Sequence, residues 1–192
     1  VPSRIFEVEE CGGEPVVTAR REDLENAHSI IFPGVGSFAI GMKNIRERGL
    51  DEILRRQVLE RGIPFLGICL GLQLMAAKGW EGGETAGLGW IGGEVKRFDQ
   101  DGPGVRIPHV GWNEVRHSLN HPLLEGVPSG KDFYFGHSYT VRCRNDGDVV
   151  ARTPYCGEFV SVLGRDNYFG VQFHPEKSQK VGFRVLKNFL AL

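Results

Sequence analysis

Cys69 stands between Gly67 and Gly71 in the run FLGICLGLQL, residues 65–74, where an apolar stretch gives way to a helical pattern. A cysteine that only fills a core needs no flanking glycines. One held at an abrupt strand-to-helix bend does, because side chains two positions to either side would collide. This is the physics of the G-x-S-x-G elbow with sulfur in place of oxygen. The following helix N-terminus favours the thiolate, the nucleophilic form. The backbone N–H of Leu70, the next residue, is placed to donate to an oxyanion. The alternative is a packing cysteine with two incidental glycines.

A thiolate nucleophile needs a base. Of the six histidines, His28 precedes a strand and reads as a surface residue. His117 and His121 have the i, i+4 spacing of a metal pair, but no third ligand accompanies them. His174 differs. It closes the strand-like run FGVQFH, Pro175 stops the strand, and Glu176 lies two residues on, close enough to fix the imidazole tautomer. Nucleophile, base and orienting carboxylate form the logic of a triad. A second glycine turn, Gly34-Val35-Gly36, follows the apolar run SIIF and should lie at the same sheet edge as the elbow, where ligands bind in such folds. Its N–H groups can face a developing negative charge. It can also be an ordinary turn; the spacings of dinucleotide- and phosphate-binding loops are absent.

The elements that must position these groups follow from pattern. SRIFEVEECGG reads as a short helix ended by Gly12-Gly13, EPVVTA as a strand, and SIIFPG as a buried strand. FAIGMKNIRERG and LDEILRRQVLERG read as helices stopped by glycine, with Ile53, Leu54 and Val58 on one stripe. IPFLGI is a short apolar strand and LGLQLMAAKG the helix after it. Alternation of this kind predicts an α/β fold, a mostly parallel sheet flanked by helices. EVKRF, DFYFGHSYTVRC, EFVSVLG and NYFGVQFH predict an additional antiparallel strand region. KVGFRVLKNFLAL is an amphipathic helix presenting Phe183, Leu186 and Phe189. The chain opens on a helix where a doubly wound sheet has a strand, so the first strand is expected to be missing.

The 192 residues suit one domain spanning 1–192. Apolar content of 41% and charged content of 24% are those of an ordinary globular chain, and a formal net charge of -1 gives no pull toward nucleic acid or anionic membranes. No apolar run approaches the roughly 18 residues of a membrane span, and no signal peptide is visible. The four cysteines lack C-x-x-C spacing, so free thiols in a reducing, cytoplasmic setting are expected. Cys11, Cys143 and Cys156 read as small packing residues. Trp80 and Trp90 flank a glycine-rich stretch and are either core or partner-facing.

PGVGSF, GICLGLQLM, PHVGWN, FYFGHSY and GVQFHPEKS occur in the order seen in class I (triad) glutamine amidotransferases, and the chain resembles that family over nearly its whole length. Within the family it is similar to HisH-type glutaminase subunits of imidazole glycerol phosphate synthase. The resemblance implies a flavodoxin-like fold and hydrolysis of glutamine to glutamate and ammonia, with no metal or organic cofactor. The ammonia would pass to a HisF-type (β/α)8 barrel synthase. Cys69 would be the nucleophile, His174 the base and acid, and Glu176 its orienter. Gly34, Val35, Gly36 and Leu70 would hold the oxyanion. Gln73, Glu81, Ser138 and Tyr139 would hold glutamine, Glu81 pairing its α-ammonium. Trp112, Asn113 and Lys177 would face the partner. HPEKSQKVGF and GLGWIGGEVKRFD also resemble paralogues that supply ammonia for amidination of a surface-polysaccharide sugar. Two further readings are a cysteine hydrolase or chaperone-like protein of related fold, which lacks the downstream His-Pro-Glu, and an inactive subunit that only docks. The intact Cys69, His174 and Glu176 set speaks against the last.

Overall fold

The computed structural model describes residues 8–99, 105–118 and 120–192. Residues 8–10 are helical, and the Gly12 and Gly13 N–H groups close that helix by donating to Glu9 O and Val8 O. Residues 1–7, which carry the start of the expected first helix, lie outside the described residues. A short helix, α1 (Arg21–Glu25), leads to strand β1 (Ile30–Gly34). Then come α2 (Phe38–Glu47), α3 (Leu50–Arg55) and a π-helical turn at Arg56–Glu60. Gly49 and Gly62, both at positive φ, end the two helical segments as their sequence predicts.

Strand β2 (Phe65–Cys69) runs into α4 (Leu70–Leu74) with no intervening residue. The strands β3 (Ala76–Gly79), β4 (Thr85–Ala86), β5 (Ile91–Arg97), β6 (His109–Val115), β7 (Lys131–His137) and β8 (Tyr139–Cys143) follow. The chain ends with β9 (Val149–Thr153), β10 (Phe159–Arg165), β11 (Tyr168–Val171) and helix α5 (Gln179–Leu190).

The main sheet has the order β1-β2-β11-β10-β9. β1, β2 and β11 are parallel; β10 and β9 continue it antiparallel. A second sheet, β4-β3-β5-β8, and the ribbon β6-β7 form the antiparallel-rich region that the sequence predicts. β2 is buried along its whole length, as a strand covered on both faces must be. Side chains alternate across it. Leu66 and Ile68 join a core with Phe133, Phe135, Phe173 and the buried residues of α5, while Phe65 joins Phe38, Met42, Leu54 and Trp90 on the other side. Each fully buried aromatic or leucine contributes about 1.5–3 kcal/mol, so the two clusters clamp β2 and β11 between helical layers.

Several local expectations need correction. Residues 14–19, EPVVTA, form no strand: Val16 and Val17 are 72% and 64% exposed, and no described strand lies beside them. β-Propensity is realised only against a neighbour. Thr18 instead accepts from the Arg20 N–H and donates to Asp23, shaping the entry to α1. The helix after the elbow lasts little more than a turn, and Ala76–Gly79 is strand β3. Met75 O accepts from the N–H groups of Trp90 and Ile91, and β3 pairs parallel with β5, which draws the chain out of the helix. DFYFGHSYTVRC is two strands broken at Ser138, and β11 ends at Val171, before Gln172. In α5 the buried positions are Gly182, Val185, Leu186 and Phe189, while Phe183 is half-buried. β6 and β9 are strands that the sequence pattern did not single out.

Candidate active site

The bend at Cys69 is as tight as its flanking glycines imply. Cys69 has φ 55° and ψ -108°, a conformation that costs a non-glycine residue on the order of 1–3 kcal/mol. A Cβ on Gly67 would lie 2.7 Å from the Gly71 carbonyl and the Leu72 nitrogen, and one on Gly71 would overlap Phe32 O. Only glycine lets the strand fold back onto its own helix. Cys69 is buried but not sealed, at 7% exposure.

Parallel register sets Gly34 opposite Cys69, so the Gly34-Val35-Gly36 turn leaves the sheet beside the sulfur-bearing residue. Gly34 packs on Leu70: a Cβ there would be 2.9 Å from Leu70 Cβ. Gly36 has φ +108°, and Val35 is exposed. Glu81 accepts a 2.7 Å hydrogen bond from the Phe38 N–H at the start of α2, placing a carboxylate where that turn meets the helix N-terminus.

His174 comes from the other end of the chain. Its own N–H donates to Tyr134 O, its carbonyl accepts from Ser178 Oγ, and Ser178 Oγ accepts from the Tyr134 N–H, so the His-Pro-Glu turn is closed on itself and tied to Tyr134 of β7 by two hydrogen bonds. His174 Nδ1 lies 2.9 Å from Glu176 Oε1, with both side chains 5% exposed. That leaves Nε2 free of Glu176, and the Cys69 thiol acts on the imidazole together with that carboxylate. Burial alone would push the His174 pKa down. The hydrogen bonds and charges of Cys69 and Glu176 outweigh it and raise it to about 9. The three groups therefore converge at the carboxyl ends of β1, β2 and β11.

Of the other positions singled out in the sequence, Gln73 is buried beside the elbow. Its Nε2 donates to Tyr139 O (3.0 Å) and to Gln172 Oε1 (3.1 Å). Ser138 is the break between β7 and β8, and its carbonyl accepts from the Phe98 N–H. Trp112 is 49% exposed on β6, stacked edge-on against Tyr134, whose ring also carries Lys177 Nζ 5.3 Å from its centroid. Asn113 points the opposite way: its amide is bonded to His109 and to Pro154 O. His117 and His121 are not a pair around an open site. The ring of His117 meets Val127 O, and His121 Nδ1 accepts from the Leu123 N–H.

The family described as Glutamine amidotransferase class-I matches residues 8–192. This chain belongs to the class I glutamine amidotransferases. The amidotransferase is 45% identical over 184 residues to "Imidazole glycerol phosphate synthase subunit HisH 1" of Campylobacter jejuni, covering 96% of this chain and 90% of that one. It is 48% identical over 178 residues to "Imidazole glycerol phosphate synthase subunit HisH" of Moorella thermoacetica, covering 92% and 83%. Among solved structures it superposes on a "glutamine amidotransferase" with a TM-score of 0.75 at 23% identity, covering 99% of this chain and 92% of that one. At that identity the likeness concerns the fold.

Other residues that the sequence pattern did not single out lie around the site. Gln172, Tyr134 and Ser178 border the site, and His109 and His137 form a buried pair behind it. One signal was available: a glutamine inside the apolar run YFGVQF asks for a buried polar partner. The others depend on which strands pair.

Proposed function

We propose that this amidotransferase is the glutaminase subunit of an imidazole glycerol phosphate synthase in histidine biosynthesis, with residues 1–192 acting as one domain. The observation that carries the reading is the buried imidazole of His174, held on one nitrogen by Glu176 and interacting with Cys69 at a strained elbow. The names of relatives at 41–48% identity support the pathway.

In this mechanism the Cys69 thiolate adds to the side-chain amide carbon of glutamine, forming a C–S bond and moving the carbonyl π pair onto oxygen. The Leu70 N–H and the Gly34-Val35-Gly36 strand stabilise that oxyanion. One such donor is worth about 3–4 kcal/mol. Collapse expels ammonia, which takes its proton from the His174 imidazolium, and leaves a thioester. Neutral His174 then accepts a proton from water as it adds, and a second collapse returns the thiolate and releases glutamate. Glu176 keeps the Nδ1 proton in place throughout. Gln73, Glu81, Ser138 and Tyr139 hold the substrate.

Ammonia is delivered to a (β/α)8 barrel partner in a cytoplasmic heterodimer whose assembly carries out the lyase step. Trp112, Tyr134 and Lys177 lie on one exposed face beside the His-Pro-Glu turn and support that docking side. Cys69→Ala should lose glutamine hydrolysis by at least about 10³-fold with an unchanged melting temperature. Hydrolysis at the parental rate would refute the nucleophile. Titration with the histidine-pathway barrel should bind and stimulate hydrolysis. If the barrel neither binds nor stimulates, the acceptor is a different one, such as a sugar undergoing amidination.

A further inference from the structure

The reaction as written leaves Gln172 without a task, although it is fully buried and its Nε2 lies 3.7 Å from Cys69 Sγ. We propose that Gln172 is a positioning residue of the nucleophile: its side-chain N–H holds the Cys69 sulfur by a hydrogen bond, independently of His174, and Gln73 locks the amide in the one orientation that allows it. The inference rests on the assignment of Cys69 as nucleophile.

The orientation follows from what each partner can do. A carbonyl oxygen only accepts, so the Gln73 atom facing Tyr139 O must be the amide nitrogen. The second N–H of the same nitrogen meets Gln172, which must therefore present its oxygen. The nitrogen of Gln172 is then left facing the sulfur. Tyr139 O is itself anchored, because it also accepts from His137 Nδ1 at 2.8 Å.

With Nδ1 protonated and the ring neutral, His137 Nε2 accepts from His109 Nδ1 at 3.2 Å. His109 Nε2 in turn accepts from Asn113 Nδ2, which also donates to Pro154 O. Every donor in this series meets an acceptor. Burial keeps both rings neutral, pushing His109 down to about 4 and His137 to about 3, so the tautomers that fix the chain persist at ordinary pH.

Two consequences follow for the sulfur. A side-chain N–H directed at it favours thiolate over thiol, and it narrows the χ1 range of a residue already confined by a strained backbone. Both N–H groups of Gln73 are spent in the lock, so toward a ligand Gln73 acts as an acceptor only.

The test uses Gln172→Met, which keeps the volume and removes the donor, and Gln172→Glu, which keeps an acceptor for Gln73 but removes the donor facing sulfur. The titratable groups around the thiol are His174, with Glu176 behind it and His137 nearby, and all three remain in both variants. Alkylation of Cys69 by iodoacetamide is followed by peptide mass spectrometry from about pH 5 to about pH 9, without glutamine or partner. Gln172→Met should move the midpoint upward by about one pH unit, and Gln172→Glu by more, since it sets a second negative charge beside the thiolate. The acid limb of kcat/KM for glutamine should move the same way.

A residue that merely fills space would lower the melting temperature and leave the midpoint where it was. Parental midpoints in the folded variants overturn the proposal. If Gln172→Met does not fold, Gln172→Glu decides alone. Failure of the glutaminase reading looks different: the parent would alkylate at Cys69 yet release no ammonia from glutamine.

Discussion

The elbow and the β6-β7 ribbon each bury a histidine, and they do opposite things to it. His174, 4% exposed, has its pKa raised to about 9; His137, 6% exposed, is held down to about 3. Burial opposes the imidazolium in both. At the elbow a thiol and a carboxylate reverse the outcome. In the ribbon His137 meets a carbonyl and another neutral ring, and burial prevails. Similar exposure thus yields one charged and one neutral histidine: His137 lies deeper in the protein, and only His174 has a thiol and a carboxylate to offset burial. The charged one sits where a proton must move. The neutral one belongs to a fixed scaffold.

The glycines differ in the same sense. Gly67 and Gly71 are in contact with backbone atoms that cannot retreat, whereas Gly136 on β7 has no atom within 4 Å of an added Cβ. The elbow is specified by contact, while the ribbon leaves room at the corresponding residue type.

Breaking the contrast at the elbow has the largest expected effect. Gly71→Ala should cost about 3 kcal/mol or more, measured by urea denaturation, and remove glutamine hydrolysis with it, because the new methyl overlaps Phe32 O. Glu176→Gln comes next. It keeps the shape but removes one of the two groups that reverse the His174 shift, so hydrolysis should fall by about 10²–10⁴-fold. The His174 imidazole resonance should titrate near 9 in the parent and lower in this variant.

A third experiment sharpens the ribbon side. His109 and His137 have folded pKa values near 4 and 3, below the unfolded value of about 6.5. The unfolded chain therefore binds protons first. The stability associated with the neutral pair is fully present above about pH 6.5 and is lost as pH falls toward 4 and then 3. Urea midpoints should decline across that window, with about two protons taken up on unfolding by this pair and a further contribution from His121, which burial also lowers; a flat profile would refute the neutral pair. The smallest effect is Gly136→Ala, which should change stability by no more than about 0.5 kcal/mol in the same denaturation assay.

How far the site was readable follows the same division. Gly67, Cys69 and Gly71 declare their bend within five residues, since the clash that demands glycine is between near neighbours along the chain. His174 and Glu176 are legible for the same reason: proline and a two-residue spacing fix their geometry locally. Asn113 was not. Grouped with Trp112 as a partner-facing residue, it turns inward because neighbours on a strand face opposite ways and His109 and Pro154 O wait on that side. The strand expected at 14–19 and the helix expected through Gly79 misled in the same way, since each depends on what lies alongside.

The sequence by itself determined the bend at Cys69, the local pairing of His174 with its carboxylate, and the α/β class, because steric exclusion and hydrophobic period act over a few residues. Only the tertiary structure decided that His174 reaches Cys69, that Gln73 turns its nitrogen to Tyr139 O, and that Gln172 thereby aims its own at the sulfur. Those facts are contacts between residues 66 to 105 positions apart, and which of two amide atoms faces a neighbour is set by that neighbour's chemistry, not by the residue that carries the amide.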